Sequence, residues 1–157
     1  MNYFPIALRL KNKQVIVAGA GAVSQRKILG LLETGALIKL IAPQASDVLT
    51  GLANRGSIRW LRRNVRCSDI KEAVLVIAAT DKPALNKRIS LWARRQGIAV
   101  NVVDKPILSD FISPAVLRRK KALVAVYTDA KDPLLSRDLK NYLKERWDDF
   151  LLYRNRL

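Results

Sequence analysis

The stretch Val15-Ile16-Val17-Ala18-Gly19-Ala20-Gly21-Ala22-Val23-Ser24-Gln25-Arg26-Lys27 decides the fold. A β-branched run feeds two glycines at G-x-G spacing, and a helix-compatible sequence follows at once. This pattern predicts a strand, a tight turn and a helix whose first backbone N–H groups can hold a pyrophosphate. Gly19 permits the turn, Gly21 keeps a Cβ out of the path of the phosphates, and Ser24 is the third small residue, against the strand.

Strand and helix signals alternate outward from this turn. Residues 14–18 form the first expected strand. The first helix is expected over 22–34, with Val23, Ile28, Leu31 and Leu32 on one face and Gly35 closing it. Residues 37–42 read as a second strand stopped by Pro43, 46–54 as a helix ending at Gly56, and 57–61 as a third strand. Residues 74–79 are a continuous apolar run, as expected for a parallel strand buried on both faces. A helix over 82–96 ends at Gly97, and 98–103 is the fifth strand. The fold class is therefore α/β, a Rossmann-like doubly wound parallel sheet with ligands at the carboxyl ends of its strands.

The rhythm changes after Asp104. Residues 111–117 and 122–128 are β-rich and flank the charged turn 118–121, which predicts an antiparallel hairpin. Asp132-Pro133 opens a helix to about residue 150, with Leu135, Leu139, Tyr142, Leu143 and Trp147 as its apolar stripe. Two arrangements fit this helix: a dimerisation arm, or packing against its own sheet.

Composition narrows the chemistry. The 157 residues carry 29 basic and 13 acidic side chains, a net charge of +16, one cysteine and no histidine. No apolar run approaches the roughly 18–20 residues of a membrane span. The start Met1-Asn2-Tyr3-Phe4-Pro5 lacks signal-peptide features, so a cytoplasmic setting is expected. Cys67 alone forms no internal disulfide and no cysteine-rich metal cluster, and no resident metal is expected. Without histidine, a Ser-His-Asp triad or imidazole shuttle is excluded, and proton transfer falls to Asp, Glu, Lys, Tyr, Cys or the substrate. The basic groups include Arg59, Arg62, Arg63, Arg66, Arg94, Arg95 and the run Arg118-Arg119-Lys120-Lys121. They suit solvated faces, nucleic-acid phosphates or a small polyanion, but lack the aromatic interleaving of an RNA-binding module.

The strand ends hold the candidate site residues. Ala42-Pro43-Gln44 ends the second strand with neither the acidic residue of a typical NAD fold nor an arginine for a 2′-phosphate, leaving Asp47 or Lys39 to reach the ribose. Ala78-Ala79-Thr80-Asp81 ends the fourth, where small residues admit a dinucleotide and Thr80 or Asp81 is expected to cap the next helix. Asn101-Val102-Val103-Asp104 ends the fifth. Asp104 reads equally as a proton-handling carboxylate on the rim and as a turn-starting Asp before Lys105-Pro106.

Taken together, these residues resemble the siroheme synthase N-terminal module, the precorrin-2 dehydrogenase family, many of whose members are also sirohydrochlorin ferrochelatases. The resemblance runs from Tyr3-Phe4-Pro5 to about Tyr142. It rests on Phe4-Pro5-Ile6, Gly19-Ala20-Gly21-Ala22-Val23 with Arg26-Lys27, Ala42-Pro43, Ile77-Ala78-Ala79-Thr80-Asp81, Asn86, Asn101-Val102-Val103-Asp104 and Phe111-Ile112-Ser113-Pro114-Ala115. It implies NAD binding at Gly19, Gly21, Ala22, Val23, Pro43 and Gln44, to which Thr80 is added, and a catalytic role for Asp104. It implies a tetrapyrrole polycarboxylate as substrate, with Asn101, Arg118, Arg119, Lys120, Thr128 and Lys131 as its binding residues. Residues 1–110 are then the NAD-binding domain, and 111–157 a dimerisation and substrate region of a homodimer.

The family's loop of the Ser-Thr-x-Gly-x-Ser-Pro kind is here Tyr127-Thr128-Asp129-Ala130-Lys131-Asp132-Pro133, with two carboxylates where a polyanion is expected. The chain also ends ahead of the additional C-terminal helices of many members. Dehydrogenation is therefore expected ahead of metal insertion, with Fe²⁺ or Co²⁺ as substrate only. The leading expectation is NAD-dependent oxidation of precorrin-2 to sirohydrochlorin in siroheme or cobalamin synthesis. A non-catalytic NAD- or tetrapyrrole-binding sensor or carrier is the second reading, and a basic nucleic-acid-binding Rossmann protein the third.

Overall fold

A computed structural model describes residues 3–120, 122–129 and 131–155. The chain divides into two compact units, one of Pro5–Phe111 and one of Met1–Phe4 with Ile112–Leu157.

The first unit holds five strands: β1 (Gln14–Ala18), β2 (Leu37–Ile41), β3 (Arg59–Leu61), β4 (Leu75–Ala78) and β5 (Ala99–Val102). They pair in the order β3-β2-β1-β4-β5, every pair parallel. β4 is buried throughout, as its unbroken apolar sequence requires. Alternation then sorts side chains to two faces. Val15, Val17, Ile38, Leu40, Leu75 and Ile77 meet Ile28 of α1 (Ala22–Leu32) and Leu49 and Leu52 of α2 (Asp47–Asn54). Ile16, Ala18, Ile41, Val76, Val100 and Val102 meet Ile70 and, from α3 (Pro83–Arg95), Ile89 and Ala93. Each fully buried Ile, Leu or Val contributes about 1.5–3 kcal/mol, and a one-residue slip would exchange the two sets between faces shaped for different partners. The chain builds outward from β1 to β2 and β3, then crosses to β4 on the other side. That reversal opens a crevice at the carboxyl ends of β1 and β4.

Most elements are a residue or two shorter than expected. α1 stops at Leu32 because Thr34 N–H and Gly35 N–H fold back to the Leu31 and Leu32 carbonyls. β2, β4 and β5 end at Ile41, Ala78 and Val102, and Ala42, Ala79 and Val103 each donate one last N–H to a neighbouring strand before the chain turns at the crevice. β3 begins at Arg59, and Ser46 is the N-cap of α2, accepting a hydrogen bond from Leu49 N–H at 3.4 Å. The short 3-10 turn at Cys67–Ile70 had no sequence signal, whereas that at Pro106–Leu108 follows the turn expected at Asp104 before Lys105-Pro106. In the first, Asp69 accepts from Arg66 N–H at 2.7 Å and from both terminal nitrogens of Arg63.

In the second unit, β6 (Ala115–Arg119) pairs antiparallel with β7 (Ala122–Val126), and α4 (Pro133–Glu145) packs on this hairpin. Arg118 and Arg119 are strand residues, not turn residues, because the register closes tightly at Arg119 opposite Ala122. Lys120 is left as a turn residue, and Lys121 lies outside the described residues. Asp132 caps α4, accepting from Leu135 N–H at 2.8 Å. The single helix expected to about residue 150 is two: α5 (Trp147–Arg154) begins after a break at Arg146 (φ −91°, ψ 9°). At the break, the Arg119 guanidinium donates to the Lys144 carbonyl at 3.0 Å and lies over the Trp147 ring at 5.6 Å.

Candidate active site

Gly19 is where the sheet opens. It adopts φ +97°, and a Cβ there would collide with the Ala79 carbonyl and come within 2.8 Å of the Thr80 Cα. The turn is tied to the sheet by Gly19 N–H to Ile41 O at 3.0 Å and Ala79 N–H to Ala18 O at 2.8 Å. Gly21 is the N-cap of α1 and offers no side-chain cap, and the first turn carries no acidic residue. The leading N–H groups of α1 therefore retain their capacity for an anion. A Cβ at Gly21 would have nothing within 4 Å, so the space over the helix end is open. The positive helix end and the open approach both fit a dinucleotide pyrophosphate.

A cleft of about 690 Å³ lies over this turn. Gly19, Gly21, Ala22, Val23, Pro43, Gln44 and Thr80, the seven residues expected at a dinucleotide, all line it, together with Val103. It borders a depression of about 350 Å³, which shares Asn64, Val65, Lys82 and Leu85 with it. The loop after β2 is braced by Trp60 Nε1–H to the Ala42 carbonyl at 3.0 Å and by Ser46 Oγ–H to Gln25 Oε1 at 2.7 Å. Asp47 is exposed at the start of α2. Lys39 sits within β2 with its charge toward Asp69, not at the strand end where a ribose is expected. Ser24 is fully buried against the sheet, the place expected for the third small residue.

The α3 start differs from expectation. Neither Thr80 nor Asp81 is the N-cap; Lys82 is, and Thr80 Oγ1 accepts from Lys82 N–H at 3.2 Å in the turn before it. What organises this turn is Asn86, fully buried on α3. Its Oδ1 accepts from Thr80 N–H at 3.0 Å and from Thr80 Oγ1 at 2.7 Å. Its Nδ2 donates to the Thr80 carbonyl at 3.1 Å and to Asp104 Oδ1 at 3.2 Å. Asp104 is exposed, directly after Val103. Residue-by-residue reading missed this bridge. Its signal was a polar residue sharing a helical face with Ile89 and Ala93, where an amide must find partners.

Asn101 is buried on β5, donating from Nδ2 to the Phe111 carbonyl at 3.0 Å, with Oδ1 lacking a partner among the described residues. In α1, burial, and secondarily Arg26, lowers the Lys27 ammonium to about 8. The remaining residues expected at substrate belong to the second unit. Arg119 is engaged at the α4–α5 break. Arg118 is half-buried beside it in β6, and Lys120 is exposed at the turn. Thr128 Oγ1 donates to the Asp132 carbonyl at 2.6 Å and lies 2.7 Å from Ser136 Oγ. Lys131 is exposed, its ammonium 3.5 Å from Asp129 Oδ2.

A family model described as "Putative NAD(P)-binding" matches residues 6–115. The chain belongs to this NAD(P)-binding family. Among curated proteins it is similar to the siroheme synthase of Methylococcus capsulatus, 42% identical over 144 residues, and to that of Nitrosococcus oceani, 38% identical over 144 residues. Each alignment covers 92% of this chain but only 30% and 31% of the relative, so this NAD(P)-binding chain spans about a third of their length. Among solved structures it resembles "SirC, precorrin-2 dehydrogenase", with a TM-score of 0.78, 28% identity, and coverage of 92% of this chain and 71% of that one. No helix among the described residues is long and apolar enough to cross a membrane.

Proposed function

We propose that this chain oxidises precorrin-2 to sirohydrochlorin with NAD⁺ as an enzyme of siroheme biosynthesis. The observation that carries this reading is a carboxylate at the rim of a dinucleotide cleft. Asp104 follows Val103 of the cleft lining, in a chain of the same fold as a precorrin-2 dehydrogenase. When bound, NAD⁺ supplies the hydride acceptor. The α1 N–H groups hold its pyrophosphate, Gly21 leaves it room, and Pro43, Gln44 and Thr80 border its flanks. Asp104, the carboxylate at the rim, accepts the proton released from the substrate in a chain that has no histidine to do so.

Asn101, Arg118, Arg119, Lys120, Thr128 and Lys131 are the residues we assign to the polycarboxylate substrate, the cations as partners of its carboxylates and Asn101 through its unpartnered oxygen, an acceptor suited to a ring N–H. We assign a homodimer on the exposed apolar residues Leu135, Leu139 and Tyr142 of α4 and Phe150 of α5, which suit burial against a second copy. A soluble cofactor and a polyanionic substrate fit a cytoplasmic setting. Metal insertion, which we place behind dehydrogenation, would take Fe²⁺ or Co²⁺ as substrate and draw on the same carboxylate to remove pyrrole protons.

The test is anaerobic conversion of precorrin-2 with NAD⁺, followed by the absorbance of NADH and of sirohydrochlorin. Turnover that falls at least a hundredfold in Asp104→Ala, with NAD⁺ affinity kept, supports the assignment. Equal turnover in that variant refutes the role of Asp104. NAD⁺ binding without any turnover by the unaltered chain leaves a sensor or carrier.

A further inference from the structure

We propose that Asn86 is a positioning residue that fixes the Asp104 carboxylate relative to the Thr80 turn, an inference that rests on the dehydrogenase reading above. Asn86 is 0% exposed, and both ends of its amide are committed. The Thr80 N–H can only donate, so the Asn86 oxygen must face it. The amide nitrogen is then left to face the Thr80 carbonyl and Asp104 Oδ1. A flipped amide would set oxygen against two acceptors and leave a buried N–H unpaired, at a cost of about 1–3 kcal/mol. The side chain therefore has one orientation, and its second donor points at the carboxylate.

Asp104 needs such a partner. It is exposed at the end of β5, where its side chain would otherwise sample several rotamers. Its Oδ1 accepts from Asn86, while Oδ2 has no hydrogen-bond partner among the described residues. One oxygen is thus anchored and the other is open to a substrate proton. A neutral amide suits this task better than Arg or Lys would. It fixes the geometry, whereas a full positive charge in contact would make the carboxylate a much weaker base. Because the same amide holds the Thr80 N–H and carbonyl, the base and one wall of the cleft share a single anchor.

A simple core role for Asn86 predicts different behaviour, which a double-mutant cycle detects. Steady-state kcat and the KM for NAD⁺ are measured for the unaltered chain, Asn86→Ser, Asp104→Ala and the double variant. We expect Asn86→Ser to lower kcat about tenfold while KM for NAD⁺ stays within about threefold. In the Asp104→Ala background the same substitution costs nothing further. Losses that add in the double variant overturn the proposal, as does a change confined to KM. A second measurement needs neither turnover nor a folded Asn86 variant. The ¹⁵N-resolved side-chain amide protons of Asn86 are compared between the unaltered chain and Asp104→Ala. One proton moves upfield on loss of its carboxylate acceptor; an unmoved pair overturns the proposal. If the unaltered chain fails to oxidise precorrin-2, the dehydrogenase reading falls, and the amide shift decides the contact by itself.

Discussion

The two glycines of the β1–α1 turn should fail in different ways when each gains a methyl group. At Gly19 the backbone lies at φ +97°, a conformation costing an L-residue about 1–3 kcal/mol. The new Cβ also meets the backbone of Ala79 and Thr80, which cannot rotate away as a side chain could. Shifting a packed segment adds about 1–3 kcal/mol. Gly19→Ala should therefore lose about 2–6 kcal/mol from a total of about 5–15, lowering Tm by on the order of 10 °C. At Gly21 the backbone (φ −72°, ψ −179°) suits any residue, and a Cβ meets nothing within 4 Å. The entropic gain of alanine, about 0.4–1 kcal/mol, roughly offsets its poorer N-cap preference, so Tm should move little. The cost appears only with ligand, where the methyl group stands in the approach to the α1 N–H groups. NAD⁺ affinity should fall at least tenfold, about 1.4 kcal/mol. Thermal melts with and without NAD⁺, joined to calorimetric titration, separate the two effects. Wild-type NAD⁺ affinity in Gly21→Ala would refute a pyrophosphate over that glycine, and an unchanged Tm in Gly19→Ala would refute the backbone collision.

Three further outcomes follow from charge and exposure. Lys27 titrates near 8 when folded against 10.5 in the open chain, so the unfolded state binds more protons between these values. Stability from this group should rise across that window, and Lys27→Met should stabilise by up to about 3 kcal/mol at pH 7, an advantage that fades toward pH 10.5 in parallel melts. The Arg63 hydrogen bond, with smaller help from Arg66 N–H, holds the Asp69 carboxyl below its usual 3.8. Its contribution is present above pH 3.8 and lost as pH falls through the depressed value, so Arg63→Met should lower Tm by a few degrees at pH 7 and progressively less in acid. Leu139→Glu on α4 should shift the sedimentation coefficient from that of a dimer to that of a monomer, and an unchanged coefficient would remove α4 from the interface.

The doubly wound sheet was legible because parallel strands covered on both faces must be nearly all apolar, as 75–78 is, and because glycines punctuate each helix. Its strand ends were less so. Ala42, Ala79 and Val103 look like strand in composition and each still donates one N–H to a neighbouring strand, yet they lie past the last paired residues and line the cleft. The break at Arg146 was illegible for a related reason. Its neighbours Arg119 and Trp147 are 28 positions apart, and no local periodicity encodes their contact. The glycine turn could be read as a unit because its residues are contiguous. Asn86 and Asp104 are 18 apart, and only the packing of α3 beside β5 brings them together.

The 127–133 loop departs from the family pattern by placing charge beside a constrained bend. Ala130 lies outside the described residues, but Asp129 occupies the left-handed region at φ +57°, where Gly, Asn and Asp are the residues most readily accepted. Aspartate thus tolerates this bend, and places there a carboxylate only 13% exposed. Lys131 answers it at 3.5 Å, so a cation assigned to the polycarboxylate is partly neutralised by its own loop. Asp129→Asn keeps the bend, removes the charge and releases Lys131. One unit charge at contact distance in a wet site is worth about 1 kcal/mol, so KM for precorrin-2 should fall about three- to tenfold at low ionic strength. The gain should shrink toward nothing near 1 M salt, where the Debye length is about 3 Å, while KM for NAD⁺ stays fixed. An unchanged KM for precorrin-2, or a gain that survives high salt, would mean that the carboxylates of the substrate do not approach this loop, and would remove Thr128 and Lys131 from the substrate site.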